Sequence, residues 1–447
     1  MFDAFLNIFK IPDLKKKLLI TLGLIAVYRI GAFIPTPGID SAKLVGFFEN
    51  IAKSSGGTLF GLFNVFSGGA MQRATIFALG IMPYISASII LQLLTAVVPH
   101  LERLAKEGEA GRRTIMQYTR YGTVLLAVIQ SFFIAMWLEN PAHFQGEVIV
   151  PNGGLAFRLI TIITLTSGTA FIMWLGEQIQ EFGIGNGISL IITAGIISRL
   201  PSAIAQLTGL VSFSTEKRQI EPFTLLFMAV MFIGVIVAVI LITQGQRKIP
   251  IQYAKRIIGR KIYGGQSTYI PLRVNQAGVI PIIFAQSLIL FPATIASILP
   301  GSFLQNLAAG LAERGVVYNI IYSLLIIFFC YFYTAITFNP IDVAENMKRY
   351  GGFVPGIRPG KATAEYLDYV MTRITLPGAI FLAIIAIIPT LISAGLKIPF
   401  LVASFFGGTS LLIIVGVMLD TVQQIESHLL TRHYEGFMKK GKLKGRR

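Results

Sequence analysis

The chain has 447 residues, 54% of them hydrophobic and only 13% charged, with a mean hydropathy of +0.70. Soluble domains carry about 25% charged residues, so this composition excludes an ordinary soluble protein and indicates an integral membrane protein. Thirty-eight Lys and Arg against 21 Asp and Glu give a formal charge of +17, which must concentrate in loops and tails and suits anionic lipid, ribosomal RNA or acidic partner proteins.

Ten apolar runs follow one another, near residues 18–34, 74–98, 117–138, 155–176, 186–207, 222–243, 277–299, 316–338, 374–394 and 399–419. Each is close to the ~20 residues that a helix needs to cross a bilayer, well beyond the roughly 9–11 of a barrel strand, and none alternates with period two. The expected fold is an all-α polytopic membrane protein of ten transmembrane helices. The start, Lys15-Lys16-Lys17 followed by Leu18–Ile34, looks like a secretory signal but has no small-residue cleavage site, so it is read as a retained first span. Setting aside Arg29, Arg73, Arg120, Arg158 and Arg199 within or at the ends of spans, one side of the membrane receives 27 Lys and Arg and the other six. The positive-inside rule then places both termini in the cytoplasm, despite Lys217 and Arg218 outside. Division into an N-terminal half, 1–215, and a C-terminal half, 216–447, puts five spans in each, an odd number that permits an inverted repeat.

The first of two cytoplasmic loops, 245–276, carries Arg247, Lys248, Lys255, Arg256, Arg260, Lys261 and Arg273 with no acidic residue, and Tyr253, Tyr263 and Tyr269 are interleaved. Gly264-Gly265 before Ser267–Ile270 predicts a turn into an extended segment, part of a hairpin standing off the membrane. Such a surface fits either docking or positive-inside charge alone. The second loop, 339–373, contains Phe353–Gly360 (FVPGIRPG), whose prolines and glycines are expected to hold Arg358 on a stiff, presented turn. A basic tail occupies 420–447.

Between the first two spans, residues 56–70 (GGTLFGLFNVFSGGA) are apolar but glycine-punctuated and too short to span. Two placements are open: a re-entrant segment inside a vestibule, or an amphipathic surface helix with Phe60, Phe63 and Phe66 in the interface. No carboxylate or histidine lies mid-span. Glu177, Asp342 and Asp420 fall at span ends, and His100, His143, His428 and His433 in loops or tail, which argues against an ion-coupled transporter. Arg29, the one deep charge, is expected to snorkel outward. Gly356–Thr363 has the wrong spacing for a phosphate loop, and Gly183, Gly185 and Gly187 follow a helical run, so they read as a helix-to-helix turn. No catalytic, cofactor or metal motif emerges, and the lone Cys330 excludes a disulfide within the chain.

Ser67–Ala70 (SGGA), Ile76–Leu94 (IFALGIMPYISASIILQLL), Trp174–Gln178 (WLGEQ), Gly183–Ser189 (GIGNGIS), Tyr253–Arg256 (YAKR), Asn275–Pro281 (NQAGVIP), Phe353–Gly360 and Gly407–Leu412 (GGTSLL) together resemble the SecY family of bacterial protein-translocase subunits, in order and over essentially the whole chain. The resemblance implies a channel of two pseudo-symmetric inverted halves around a central pore. It would pass unfolded, signal-bearing polypeptide across the cytoplasmic membrane and release hydrophobic segments sideways into lipid. A pore for arbitrary polypeptide needs a bland lining, and a collar of branched aliphatics can block ions by dewetting. By the family pattern the collar is Ile81, Ile85, Ile188, Ile192, Ile283 and Ile413, and the plug is about 57–70, with Phe60, Phe63, Asn64, Phe66, Ser67, Gly68 and Gly69. Spans 2 and 7 form a lateral gate, where Ser86, Gln130 and Gln286 could make weak interhelical hydrogen bonds. The implied partners are the SecE and SecG membrane subunits, signal peptides and nascent chains, anionic lipids, and the SecA motor ATPase or a ribosome docked through Lys255, Arg256 and Arg358.

Overall fold

The computed structural model describes residues 11–53, 64, 67–144, 146–210, 222–253, 256–258, 261–263, 267–298, 315–396, 398 and 400–440. Helix α1 (Pro12–Gly31) opens with proline in its first turn, where the missing N–H costs nothing, and α2 (Ser41–Lys53) is started by the Asp40 carboxylate accepting from the Ala42 and Lys43 amides. After a stretch of turns come α3 (Met82–Val97), α4 (Pro99–Lys106), α5 (Glu109–Glu139) and α6 (Leu155–Phe182). The predicted helix-to-helix turn follows, with Asn186 Oδ1 accepting from the Ser189 amide at the head of α7 (Gly187–Ile197), and then α8 (Leu200–Leu210) and α9 (Pro222–Gln244). Four strands come next: β1 (Gln246–Tyr253), β2 (Arg256–Ile258), β3 (Lys261–Tyr263) and β4 (Ser267–Arg273). The C-terminal part comprises α10 (Ile280–Ile298), α11 (Val316–Thr337), α12 (Pro340–Arg349), the short β5 (Gly352–Phe353), α13 (Lys361–Leu396), α14 (Phe400–Phe405) and α15 (Gly408–Lys440).

Every predicted apolar run contains a helix, but three runs are broken. The second was expected to be helical from residue 74, yet residues 74–81 are turns, because Ala74 and Gly80 hold φ angles of 43° and 58° and the helix starts only ahead of Pro83. Its far end then bends by 99° into α4 at Pro99. The fifth run breaks at Ser198-Arg199 ahead of Pro201, and the tenth at Phe406-Gly407, where Gly408 has a φ of 80°. Among the described residues, seven helices are long and apolar enough to cross a membrane, or eight if α3 and α4 form one broken span. Helix α1 stays outside that set because Lys15, Lys16, Lys17 and Arg29 interrupt its apolar stretch.

One large apolar cluster, including Tyr28, Phe77, Leu165, Ile172, Ile191, Ile282, Ile326 and Leu412, joins the spans. Two interhelical ion pairs, Arg120–Glu177 at 2.8 Å and Arg158–Glu139 at 2.7 Å, tie α5 to α6 near their ends. A second, separate core lies off the bundle. There Ile249, Ile251 and Leu272 of the hairpin pack on Met347 of α12, on Val354 and on Leu367, Val370 and Met371 of α13. Antiparallel β1–β4 pairing runs from Gln246↔Arg273 to Gln252↔Ser267, so the predicted extended segment is present, while Gly264-Gly265 lies outside the described residues. The unforeseen element is β5. It pairs with β1 through Gln252↔Phe353 and Tyr253↔Gly352, giving a sheet ordered β4-β1-β5 that joins the loops 245–276 and 339–373.

Backbone packs directly on backbone within the bundle. A Cβ at Gly168 of α6 would collide with the Ile76 carbonyl, and one at Gly187 with the Gly176 carbonyl. Replacing Gly168 with Val is expected to lower stability by about 1–3 kcal/mol through overpacking, read as a lower melting temperature of the purified protein. Gly209→Ala, which meets nothing within 4 Å, should leave the melting temperature unchanged or slightly raise it.

Candidate functional site

Among the described residues ahead of α3, the stretch 67–81 is pinned by several contacts. Ile76 N–H donates to the Ile34 carbonyl and Thr36 N–H to the Ala74 carbonyl, so that Pro35 and Thr75 form an isolated antiparallel bridge between this stretch and the end of α1. Asn64 Oδ1 accepts from the Gln72 amide at 3.0 Å, and Asn64 Nδ2 donates to Gln72 Oε1 at 3.2 Å. The same Gln72 oxygen accepts from Arg199 Nη2 at 3.1 Å. Ser67 Oγ donates to the Asn64 carbonyl and accepts from the Met71 amide. Gly68 sits at φ 64° with its Cα so near α7 that a Cβ would lie 2.8 Å from the Gly195 Cα, and its carbonyl accepts from Arg29 Nη1 at 3.4 Å and Ser198 Oγ at 3.5 Å.

Asn64, Ser67 and Gly68 are therefore buried between α1 and α7, and Gly69 is half-buried beside them. This end of the segment is enclosed by protein, in keeping with the first of the two placements open from sequence. Phe60, Phe63 and Phe66 lie outside the described residues. Arg29 departs from expectation. Its guanidinium turns onto the Gly68 carbonyl and lies over the Tyr28 and Phe33 rings, because an unpaired carbonyl in a glycine-rich turn supplies the acceptor that lipid lacks.

The six isoleucines come from four elements that share the main apolar cluster. Ile81 is the residue ahead of α3 and Ile85 lies one turn into it; Ile192 sits on α7, Ile283 on α10 and Ile413 on α15, all buried. Ile188, in the first turn of α7, is half-buried against the same cluster. Helices α3 and α10, the predicted gate pair, are bridged by Ser287 Oγ donating to Met82 Sδ at 3.8 Å. Sequence reasoning selected Ser86, Gln130 and Gln286 instead. Ser86 is half-buried on α3, and the side-chain carbonyls of Gln130 and Gln286 are buried with no hydrogen-bond partner among the described residues. Methionine sulfur is a weak acceptor and gives no signal in a search for polar residues.

On the hairpin face, Lys255 lies outside the described residues, and Arg256 opens β2 opposite Tyr263 of β3 at the hairpin tip. Lys248 Nζ lies over the Tyr269 ring at 4.7 Å. Arg358 is exposed, between Gly356 at φ 82° and Gly360 at φ 105°, and its carbonyl accepts from Thr363 Oγ1 at 2.8 Å. Buried Val354 anchors the turn in the second core, so backbone and not side chain holds Arg358 in place. Among the described residues no group of three or more His, Cys, Asp or Glu is placed to hold a metal ion.

The SecY family model matches residues 75–422. Protein translocase subunit SecY of Escherichia coli (strain K12) is 50% identical over 437 residues, covering 97% of this chain and 96% of the relative. Two solved structures share the fold. A SecY protein whose plug domain stabilises the closed state of the translocation channel and maintains a membrane seal aligns at a TM-score of 0.60, with 18% identity and 92% of each chain covered. Sec61 in the canine ribosome-channel complex aligns at 0.55, with 17% identity and 92% of each chain covered. The chain belongs to the SecY family and is a multi-pass membrane subunit of a protein translocase.

Proposed function

We propose that the chain forms the protein-conducting pore of the bacterial cytoplasmic membrane, with ten spans in two inverted halves, 1–215 and 216–447, and both termini in the cytoplasm. The observation that carries this reading is the seat of Ser67 and Gly68, buried against α7 by the close approach of Gly68 to Gly195. It supports a plug at about 57–70, packed next to a collar of Ile81, Ile85, Ile188, Ile192, Ile283 and Ile413. Translocation needs the plug to leave, and its polar anchors, two hydrogen bonds between Asn64 and Gln72 and one each from Arg29 and Ser198 to the Gly68 carbonyl, are of modest net strength, about 1–2 kcal/mol each. The lateral gate opens between α3 and α10, with Ser86, Gln130 and Gln286 along it; the weak Ser287–Met82 contact and the unpaired glutamine carbonyls suit a boundary that must part for a signal peptide.

The chain performs no chemistry and holds no cofactor in this reading. Energy comes from a partner, the SecA motor or a translating ribosome, docked on the face formed by the basic hairpin and the Arg358 turn, with Lys255, Arg256 and Arg358 as the docking residues. The ribosome-bound relative supports the second of these. Guanidinium groups free of intramolecular carboxylates suit bidentate contacts to acidic side chains or to RNA phosphate. SecE and SecG complete the membrane complex, and the basic loops lie against anionic lipid.

The deciding experiment reconstitutes the chain with SecE and SecG in sealed vesicles and measures ATP-dependent entry of a signal-bearing protein when SecA is added. Flux of small solutes without protein entry would replace the channel reading with that of a transporter. In the same assay Arg358→Glu is expected to abolish import at normal complex yield, since reversing one interfacial charge costs about 2 kcal/mol or more, roughly 30-fold in affinity. Import equal to that of the parent, or a yield that collapses with it, refutes a docking role for Arg358.

The collar generates a separate expectation in planar bilayers. Ile81→Asn, Ile188→Asn and Ile283→Asn should each raise resting ion conductance, because a carboxamide wets a constriction that isoleucine keeps dry. Unchanged conductance in properly inserted channels would remove these positions from the seal.

A further inference from the structure

Two adjacent glutamines near the end of the bundle have no place in the plug, collar, gate or docking turn. Gln423 Oε1 accepts from Arg273 Nη2 at 3.1 Å, and Gln424 Oε1 accepts from the Gly185 amide at 2.8 Å. Successive residues on a helix point about 100° apart, so the pair reaches in two directions at once from α15. On one side is the last residue of β4, the root of the basic hairpin. On the other is the turn that starts α7, two residues before the helix and three before Ile188. Gly185 is buried at φ 91°, and a Cβ there would crowd Leu190 and the Thr421 hydroxyl, so the turn is seated closely on α15. The next amide back, Ile184 N–H, donates to Thr21 Oγ1 of α1 at 3.0 Å, and Leu14, Ile184 and Ile425 form a small apolar cluster around the junction. A continuous path of direct contacts thus leads from the hairpin through α15 to the helix that carries Ile188 and Ile192.

We infer that Gln423 and Gln424 act as a mechanical link between the hairpin and α7, so that displacement of the hairpin root is passed to the collar isoleucines of that helix. The inference rests on the motor docking at the hairpin, as proposed above. Each glutamine is a positioning residue, since neither reaches the passing chain. A buried amide such as Gly185 N–H requires an acceptor, which makes Gln424 the stronger of the two joints, while Gln423 gains from the charge of Arg273.

The first test needs no motor. In the complete membrane complex, Gln423→Leu removes a contact on the hairpin side only, and hydrogen exchange is followed at the amides of Ile184–Leu190, which Gln423 does not touch. A link predicts exchange faster by about two- to tenfold there, the factor that corresponds to one lost hydrogen bond. Unchanged exchange at Ile184–Leu190 overturns the inference whatever the motor does.

The second test adds the ATPase motor and a signal-bearing protein. Gln424→Leu should leave motor affinity within about twofold while raising ATP hydrolysed per imported chain by about two- to tenfold. Gln424→Glu, which keeps an acceptor oxygen for Gly185, should restore the parent ratio. The two joints lie in series, so the double Leu variant should be no worse than the worse single one. A parent ratio in both Leu variants, or a loss that follows melting temperature and is not rescued by Gln424→Glu, refutes the link. Failure of the parent complex to bind the motor would count against docking alone, and the exchange measurement would still decide the link.

Discussion

Backbone amides and carbonyls cannot be left bare in hydrocarbon, and that constraint organises this molecule more than any single contact. Between α2 and α3 the chain gives up helical hydrogen bonding over residues 67–81, of which 74–81 lie in a run that hydropathy alone would make a helix. Every group so freed has to be met by protein. Pairing with Ile34 and Thr36 meets some of the demand, short turns such as Ala78 to Thr75 and Gly80 to Phe77 meet more, and Arg29 and Ser198 come to the Gly68 carbonyl. Side chains alone could not enclose such a stretch. Glycines at 68, 168 and 195 let whole backbones approach, which explains why α6 and α7 are the helices against which it lies.

Two kinds of core follow from two solvents. Within the bundle the apolar side chains face one another and lipid alike, so specificity falls to small residues, ion pairs at the span ends and occasional interhelical hydrogen bonds. Outside it, Ile249, Ile251, Leu272, Leu367 and Met371 form a core like that of a small soluble domain, driven by removal of apolar surface from water. Strands β1 and β4 are thus fixed to α12 and α13, and a face held in this way loses little freedom when it binds.

What the sequence made legible, and what it did not, divides along the same line. Hydropathy located apolar runs that each contain a helix, seven or eight of these being long and apolar enough among the described residues to cross a membrane, since the cost of charge in lipid leaves a strong pattern, and the Pro and Gly framing of Arg358 was a local signal that the observed φ angles at Gly356 and Gly360 match. Breaks inside runs were hidden because hydropathy does not register backbone geometry; Gly80, Pro83 and Pro201 were readable only as tolerated residues. The two-residue β5 is too short to show alternation. Gln423 and Gln424 look from sequence like an ordinary polar turn of a helix leaving the membrane, and Arg29 like an ordinary snorkelling side chain. In each case the partner is more than 35 residues away in the chain, where no periodicity reaches.

The β4-β1-β5 sheet also sets an order of assembly. Strand β1 can pair with β4 as soon as the hairpin leaves the ribosome, but its other neighbour, β5, is made about a hundred residues later. During that interval α10 and α11 are made while one edge of β1 stays open, with Gln252 and Tyr253 still to be paired. Arg247, Lys248 and Arg273, exposed on β1 and β4, carry like charge on this waiting surface, and their mutual repulsion works against two nascent hairpins joining edge to edge. The same charges that recommend the loop as a docking face therefore have an earlier task, keeping it single until its own chain completes the sheet.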